Sequence, residues 1–223
     1  MPTSTVEDYL KCIYREERRS AGELVSTGRI AVALKVSPGT VTAMMKTLTD
    51  SGLVVYTPYM GVKLTGAGLK LATHVLRRHR LVELFLVKVM RMDWSEVHQD
   101  AEILEHAVSE RLIARMDEML GRPAVDPHGD PIPTAGGDVP ELELTSLLAC
   151  PLSRELRIAR VTDQRADFLQ LLERHGLMPG HRASVESRDE LTETVQVRPA
   201  GGKPLKLGFL AASRVLVEPA PDE

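Results

Sequence analysis

Apolar positions over residues 4–18 recur at three- and four-residue intervals, with Val6, Tyr9, Leu10, Ile13 and Tyr14 on one side. That spacing predicts an amphipathic helix, with Asp8, Lys11, Cys12 and Arg15 on the opposite side. Ile30, Ala31, Ala33 and Leu34 indicate a short second helix ending near Lys35. Ser37-Pro38-Gly39-Thr40 is the clearest start signal in the chain, a serine cap followed by proline at the first helical position. Val41, Met44, Met45 and Leu48 then make a buried stripe, Thr42, Ala43, Lys46 and Thr47 face outward, and Gly52 can terminate the helix. Leu53–Tyr56 and Val62–Leu64, joined through Pro58 and Gly61, read as a short hairpin.

Further along, Thr65 caps a long helix reaching toward Met92, and Trp94–Ala107 reads as the next helix. Glu110–Leu120 is a third, closed by Gly121. Residues 122–146 change character, with Pro123, Pro127, Pro131, Pro133 and Pro140 describing a linker or strap. Beyond it, strands are expected at Glu155–Val161, Arg182–Ser187, Thr194–Val197, Pro204–Leu207 and Arg214–Val217, with a helix over Asp163–Arg174. Short strands around one helix suggest a small β-barrel. The chain therefore reads as α+β, mainly α, in four parts: 1–70, 71–121, a strap over 122–146, and 147–223. No internal repeat or low-complexity tract interrupts it.

Helix, short helix, capped helix and hairpin together make a winged helix-turn-helix, whose capped helix would present free N–H groups to the major groove of double-stranded DNA. Ser37, Pro38, Gly39, Thr40 and Thr42 lie on that helix start; they are small and favour recognition by fit and DNA shape. Arg29, Lys35 and Lys46 are candidate phosphate contacts, and Lys63 on the hairpin could reach backbone or minor groove. The net charge of −3 argues against nucleic acid only as an average. Residues 1–70 hold 9 Lys/Arg against 6 Asp/Glu, leaving the acidic excess to the rest of the chain. A polyanion should meet the first third, and a cation the middle. No apolar run approaches a membrane span, the first residues open no signal peptide, and two cysteines build no disulfide framework, so the expected setting is the cytoplasm.

The middle supplies the chemistry for a cation. On a helix, His98, Glu102, Glu105 and His106 fall within about one quadrant, and His79 and Glu83 stand one turn apart upstream. Asp8 on the first helix could add an oxygen, and Cys12 lies one turn after it. A carboxylate-rich set with neutral imidazoles favours six-coordinate Mn²⁺ or Fe²⁺ over tetrahedral zinc. The competing reading of such residues is a solvated helix face. His74, His128, His175 and His181 lack a comparable partner set and read as structural or solvent-facing. No phosphate loop and no nucleophile–base arrangement stands out, so neither catalysis nor a small organic substrate is expected.

Glu7-Asp8-Tyr9-Leu10-Lys11-Cys12-Ile13-Tyr14, Arg78-His79-Arg80-Leu81-Val82-Glu83, Val97-His98 with Glu105-His106, and Pro127-His128-Gly129-Asp130-Pro131-Ile132-Pro133 occur in an order and spacing that resemble the diphtheria-toxin-repressor family of metal-dependent transcriptional regulators. The resemblance spans nearly the whole chain. It implies a winged helix, a helical dimerisation and metal-binding domain, and an SH3-like domain, working as a homodimer on an operator. It implies one metal site from His79, Glu83 and His98, completed from the third domain by Gln164 and Asp167, and a second from Asp8, Glu102, Glu105 and His106. Asp8 and Glu102 stand where iron-type members carry methionine and cysteine, as in the manganese-responsive branch, which favours Mn²⁺ with Fe²⁺ as the alternative. That branch has a glutamate where Lys11 stands, and a lysine cannot ligate there, so one ion of each type is expected. Two other readings stay open: a DNA-binding regulator sensing oxidation through Cys12, and a metalloenzyme with an appended winged helix.

Overall fold

A computed structural model of the chain describes residues 3–20 and 22–220. They divide into two compact units that interleave along the sequence. One comprises residues up to His79 together with Glu105–Val108 and Pro133–Val139; the other comprises Arg80–Leu104, Ser109–Ile132 and Pro140 onward.

The first unit holds α1 (Ser4–Arg19), α2 (Thr27–Leu34), α3 (Pro38–Asp50), the hairpin β1 (Val54–Thr57) and β2 (Gly61–Leu64), and the start of α4 (Gly66–Lys88). Ser37 caps α3 as expected, its hydroxyl accepting from Thr40 N–H at 3.2 Å. β1 and β2 pair in antiparallel register from Val54–Leu64 to Thr57–Gly61. Leu10, Ile13, Ile30, Met45, Leu48 and Leu76 are fully buried at its centre. Gly68 is required where α4 begins, because a Cβ there would lie 1.9 Å from the carbonyl oxygen of Leu53.

α1 departs from its expected two-faced character. Lys11 and Cys12, expected on the outward side, are buried along with the apolar stripe, and so are Glu7 and Glu16. Their burial is tolerable because the charges are matched: Glu7 with Arg78 at 2.6 Å, Lys11 with Glu105 at 2.5 Å, and Glu16 with Arg29 at 2.7 Å.

The second unit contains α5 (Val97–Leu104), α6 (Glu110–Met119) and an antiparallel six-stranded sheet. Its strands are β3 (Thr145–Ser146), β4 (Leu156–Val161), β5 (Arg182–Asp189), β6 (Thr194–Pro199), β7 (Leu205–Gly208) and β8 (Val215–Pro219), in the order β3-β8-β4-β5-β6-β7. α7 (Ala166–Arg174) lays Phe168, Leu169 and Leu172 on the sheet, and Trp94 joins the same core. β3 and the short α8 (Phe209–Ala212) escape a periodicity reading because two to four residues cannot show a period.

Two segments differ from expectation in ways that matter for the site. α5 is shorter than the Trp94–Ala107 helix its pattern suggests. Asp93 accepts from Ser95 N–H at 2.8 Å and holds a turn before it, while Glu105–Ala107 form a turn after it. The proline-rich stretch is no loose linker over its first part. Asp126, His128, Asp130 and Ile132 are buried, and Val125 bridges to Pro131. Gly129, at φ +84°, brings this strap against β4 so closely that a Cβ would stand 1.9 Å from the carbonyl oxygen of Ala159. Val161 N–H donates to the carbonyl of His128 at 2.8 Å and completes the attachment.

Candidate metal centres

In the first unit, the turn that ends α5 delivers Glu105 and His106 to α1. Asp8, Glu105 and His106 offer ligand atoms that all lie within 4.8 Å of one another. His106 Nε2 faces Asp8 Oδ1 at 2.9 Å and Glu105 Oε1 at 3.4 Å. The other ring nitrogen, Nδ1, is 2.6 Å from Glu7 Oε2, and Glu7 Oε1 accepts from Arg78 at 2.6 Å. A carboxylate on the far side of a histidine ring fixes its orientation and raises its basicity, an arrangement common behind metal-binding imidazoles. Glu105 uses both oxygens, Oε2 toward His79 Nδ1 at 2.6 Å and Oε1 accepting from the Lys11 ammonium at 2.5 Å. Burial pushes the Asp8 carboxyl above its ordinary value, against the opposing pull of His106 and Lys11.

In the second unit, Glu83, Asp126 and His128 form another group within 4.8 Å, and all three are buried. The strap makes this group by backbone geometry. Asp126 Oδ1 accepts the N–H groups of His128 at 2.8 Å and Asp130 at 2.9 Å, closing a turn around Pro127. Oδ2 is thereby left without a hydrogen bond among the described residues, with Arg80 Nε at 3.7 Å. His128 Nε2 donates to the carbonyl of Trp94 at 2.9 Å, so Nδ1 carries the lone pair; it has no hydrogen bond among the described residues and faces Glu83 Oε2 at 3.9 Å. Burial, then the neighbouring Asp130 and Glu83, raise the Asp126 carboxyl well above its ordinary value, although Arg80 opposes them. Buried acceptors of this kind cost free energy until something positive satisfies them. A divalent cation fits the need, so the donor set suits a metal.

The remaining expected ligands fall as follows. His98 Nδ1 is 3.0 Å from Glu83 Oε1, and its Nε2 is 3.6 Å from Glu102 Oε1, both within the second unit. His79 belongs to the first unit and pairs with Glu105. Gln164 donates its amide to Asp130 Oδ2 at 2.9 Å, and the Asp167 side chain is 75% exposed and accepts its neighbour Phe168 N–H. His128, read from sequence as structural or solvent-facing, stands instead in the second group. Asp126 and Glu7 were not singled out either. Asp126 sits in a proline-rich run that reads as a linker, and Glu7 is marked only by adjacency to Asp8.

On the winged helix, Ser37, Pro38, Gly39 and Thr40 are exposed at the start of α3, as are Lys35, Lys46 and Lys63. Thr42 is half-buried, its hydroxyl donating to the carbonyl of Pro38 at 3.0 Å. Arg29 is exposed but occupied, bridging Glu16 at 2.7 Å and Ser20 at 2.5 Å. Tyr59, fully exposed at the hairpin turn with φ 66°, is a further surface residue at the wing that no periodicity marks.

Family models match three consecutive stretches: the N-terminal DNA-binding domain of iron-dependent repressors over residues 1–62, their metal-binding and dimerisation domain over 65–134, and the FeoA domain over 145–219. The iron-dependent repressor IdeR of Mycobacterium leprae is 32% identical over 195 residues, covering 82% of this chain and 84% of that protein. The regulator MntR of Shouchella clausii is 37% identical over 120 residues, covering 54% of this chain and 82% of that protein. Among solved structures, a manganese-dependent transcriptional repressor in complex with manganese superposes with a TM-score of 0.85 at 37% identity, covering 96% of this chain and all of that one.

Proposed function

The chain belongs to the diphtheria-toxin-repressor family of metal-dependent, DNA-binding transcriptional repressors, and on that premise we propose that it is a homodimeric, Mn²⁺-responsive repressor of metal-uptake genes acting in the cytoplasm. One observation carries the reading. Asp8 lies on the first helix of the winged-helix unit, while Glu105 and His106 lie in the turn between α5 and α6. An ion held by all three ties the DNA-binding helices to a segment covalently continuous with the dimerisation helices. In a dimer, that tie bears on the spacing of the two α3 helices along the duplex.

Two ions per chain are proposed, one at Asp8, Glu105 and His106 and one at Glu83, Asp126 and His128, with His98 beside Glu83 and Glu102 beside His98. His79 acts on Glu105, and Gln164 supports the second group through Asp130. Both sets offer imidazole and carboxylate and no sulfur, which favours Mn²⁺, with Fe²⁺ as the alternative. Double-stranded operator DNA would meet Ser37–Thr40, Thr42, Lys46, Lys35 and Lys63. Arg29 would have to exchange its carboxylate for a phosphate. Dimerisation is supported by the matched dimerisation domain and by apolar side chains left exposed, Ile103 on α5 and Leu112 and Met119 on α6.

Duplexes selected by the Mn²⁺-loaded protein from a random pool should bind at least tenfold more weakly after chelation, a coupling of about 1.4 kcal/mol. Asp8→Ala should lose that metal enhancement. The one tryptophan, stacked on the His128 ring at a centroid distance of 5.5 Å, should lose fluorescence as Mn²⁺ fills the second group, and not in His128→Ala. Selection of duplexes whose affinity ignores chelation would overturn the reading.

Thiol sensing at Cys12 is disfavoured. Burial, then the nearby Glu16, push this thiol up to about 11, leaving it protonated and a poor nucleophile at neutral pH. Ellman's reagent at pH 8 should leave Cys12 unmodified in the folded protein and label it rapidly in denaturant. Cys12→Ser should keep the full metal response.

A further inference from the structure

We propose that Lys11 is a tethered counter-ion that sets the metal threshold of the Asp8–Glu105–His106 site, an inference that rests on reading that group as a metal centre. Its ammonium nitrogen lies 2.5 Å from Glu105 Oε1, with the lysine side chain 4% exposed and the glutamate fully buried. The second oxygen of Glu105 is held by His79 at 2.6 Å. Both oxygens are therefore engaged before any ion arrives.

A protonated amine has no lone pair and cannot become a ligand. An ion drawing on Glu105 must share the carboxylate with a fixed positive charge or displace it. In a water-poor interior this repulsion is far stronger than at a surface. Toward the metal-free protein the lysine has the opposite effect, since it neutralises a buried carboxylate whose isolation would be costly. Lys11 thus stabilises the metal-free state and weakens the metal-bound one. That difference displaces a metal-response midpoint upward without altering the ligands.

The charges around the site support the same conclusion. Lys11 is paired with Glu105, Arg78 with Glu7, and His106 lies against Glu7 and Asp8, so a divalent ion entering beside these carboxylates meets the fixed charge of Lys11 on the very oxygen it would use. The lysine is held in this position by α1, whose apolar face is locked into the winged-helix core. It cannot swing to solvent without unpairing Glu105.

The test is calorimetric titration of metal-free protein with Mn²⁺ alone, in full-length chains that also carry His128→Ala to silence the second group. Lys11→Met and Lys11→Gln should each bind one ion about tenfold tighter than the Lys11 parent. Their melting temperature without metal should fall, and the rise on adding Mn²⁺ should exceed that of the parent. Lys11→Arg, which keeps the charge, should bind as the parent does. Equal or weaker binding by both neutral variants overturns the role of Lys11. The underlying site has its own control: if Asp8→Ala leaves Mn²⁺ binding by the parent unchanged, the metal-centre reading fails instead.

Discussion

Replacing Glu105 with alanine is expected to destabilise the winged-helix unit by about 3–5 kcal/mol, the usual consequence of stranding one member of a buried ion pair. The alanine leaves the Lys11 ammonium buried without its carboxylate and removes the acceptor of His79. The metal response should vanish in the same variant, because one of the three donors at the Asp8 site is lost. These two losses are separable. Adding Lys11→Met to Glu105→Leu replaces the pair by apolar groups of similar volume, so stability in urea should return to within about 1 kcal/mol of wild type. Metal-dependent DNA binding should stay absent. A single variant that unfolds at the wild-type urea concentration would show that the pair contributes nothing.

The second large effect concerns the strap. Gly129→Ala should cost at least about 3 kcal/mol, since a left-handed backbone and a collision with β4 act together. At φ +84° an alanine is already strained, and its Cβ would stand 1.9 Å from the carbonyl oxygen of Ala159. The strap would have to lift, carrying His128 and Asp126 with it, so Mn²⁺ quenching of Trp94 should disappear. Gly180→Ala is the control. Its φ is +90° with nothing within 4 Å of the added Cβ, so it should cost only about 1–2 kcal/mol and leave the quenching intact. Equal effects of the two alanines would mean that only backbone strain matters and that the strap does not position the second group.

Local signals were sufficient for much of this molecule. Ser37 and Pro38 announced the start of α3, and Gly52 its end, because caps act within four residues. Thr65 and Gly121 marked helix boundaries for the same reason. The spacing of Asp8, His79, Glu83, His98, Glu102, Glu105 and His106 pointed to a candidate metal site, with a solvated helix face as the competing reading. Resemblance to a known family added the layout of three domains, which the matched models bear out.

Sequence by itself therefore determined the secondary structure of the winged helix and the donor chemistry, which depend on residue identity and short-range periodicity, while the family came from the resemblance of motifs in their order along the chain. Tertiary structure decided which donors meet. A periodicity reading placed Glu102, Glu105 and His106 on one continuous helix face, but α5 stops at Leu104 and the chain turns. Glu105 and His106 join α1, and Glu102 stands 3.6 Å from His98. Lys11 was expected on the side of α1 opposite the apolar stripe; it is buried because a glutamate from far along the chain neutralises it. His128 and Asp126 sat in a proline-rich run without a pattern, and became a buried donor pair once Gly129 let the strap lie against β4. For Lys11 with Glu105, and for Glu83 with Asp126 and His128, the deciding force is long-range burial of charge, and no local window of sequence contains both sides of the contact.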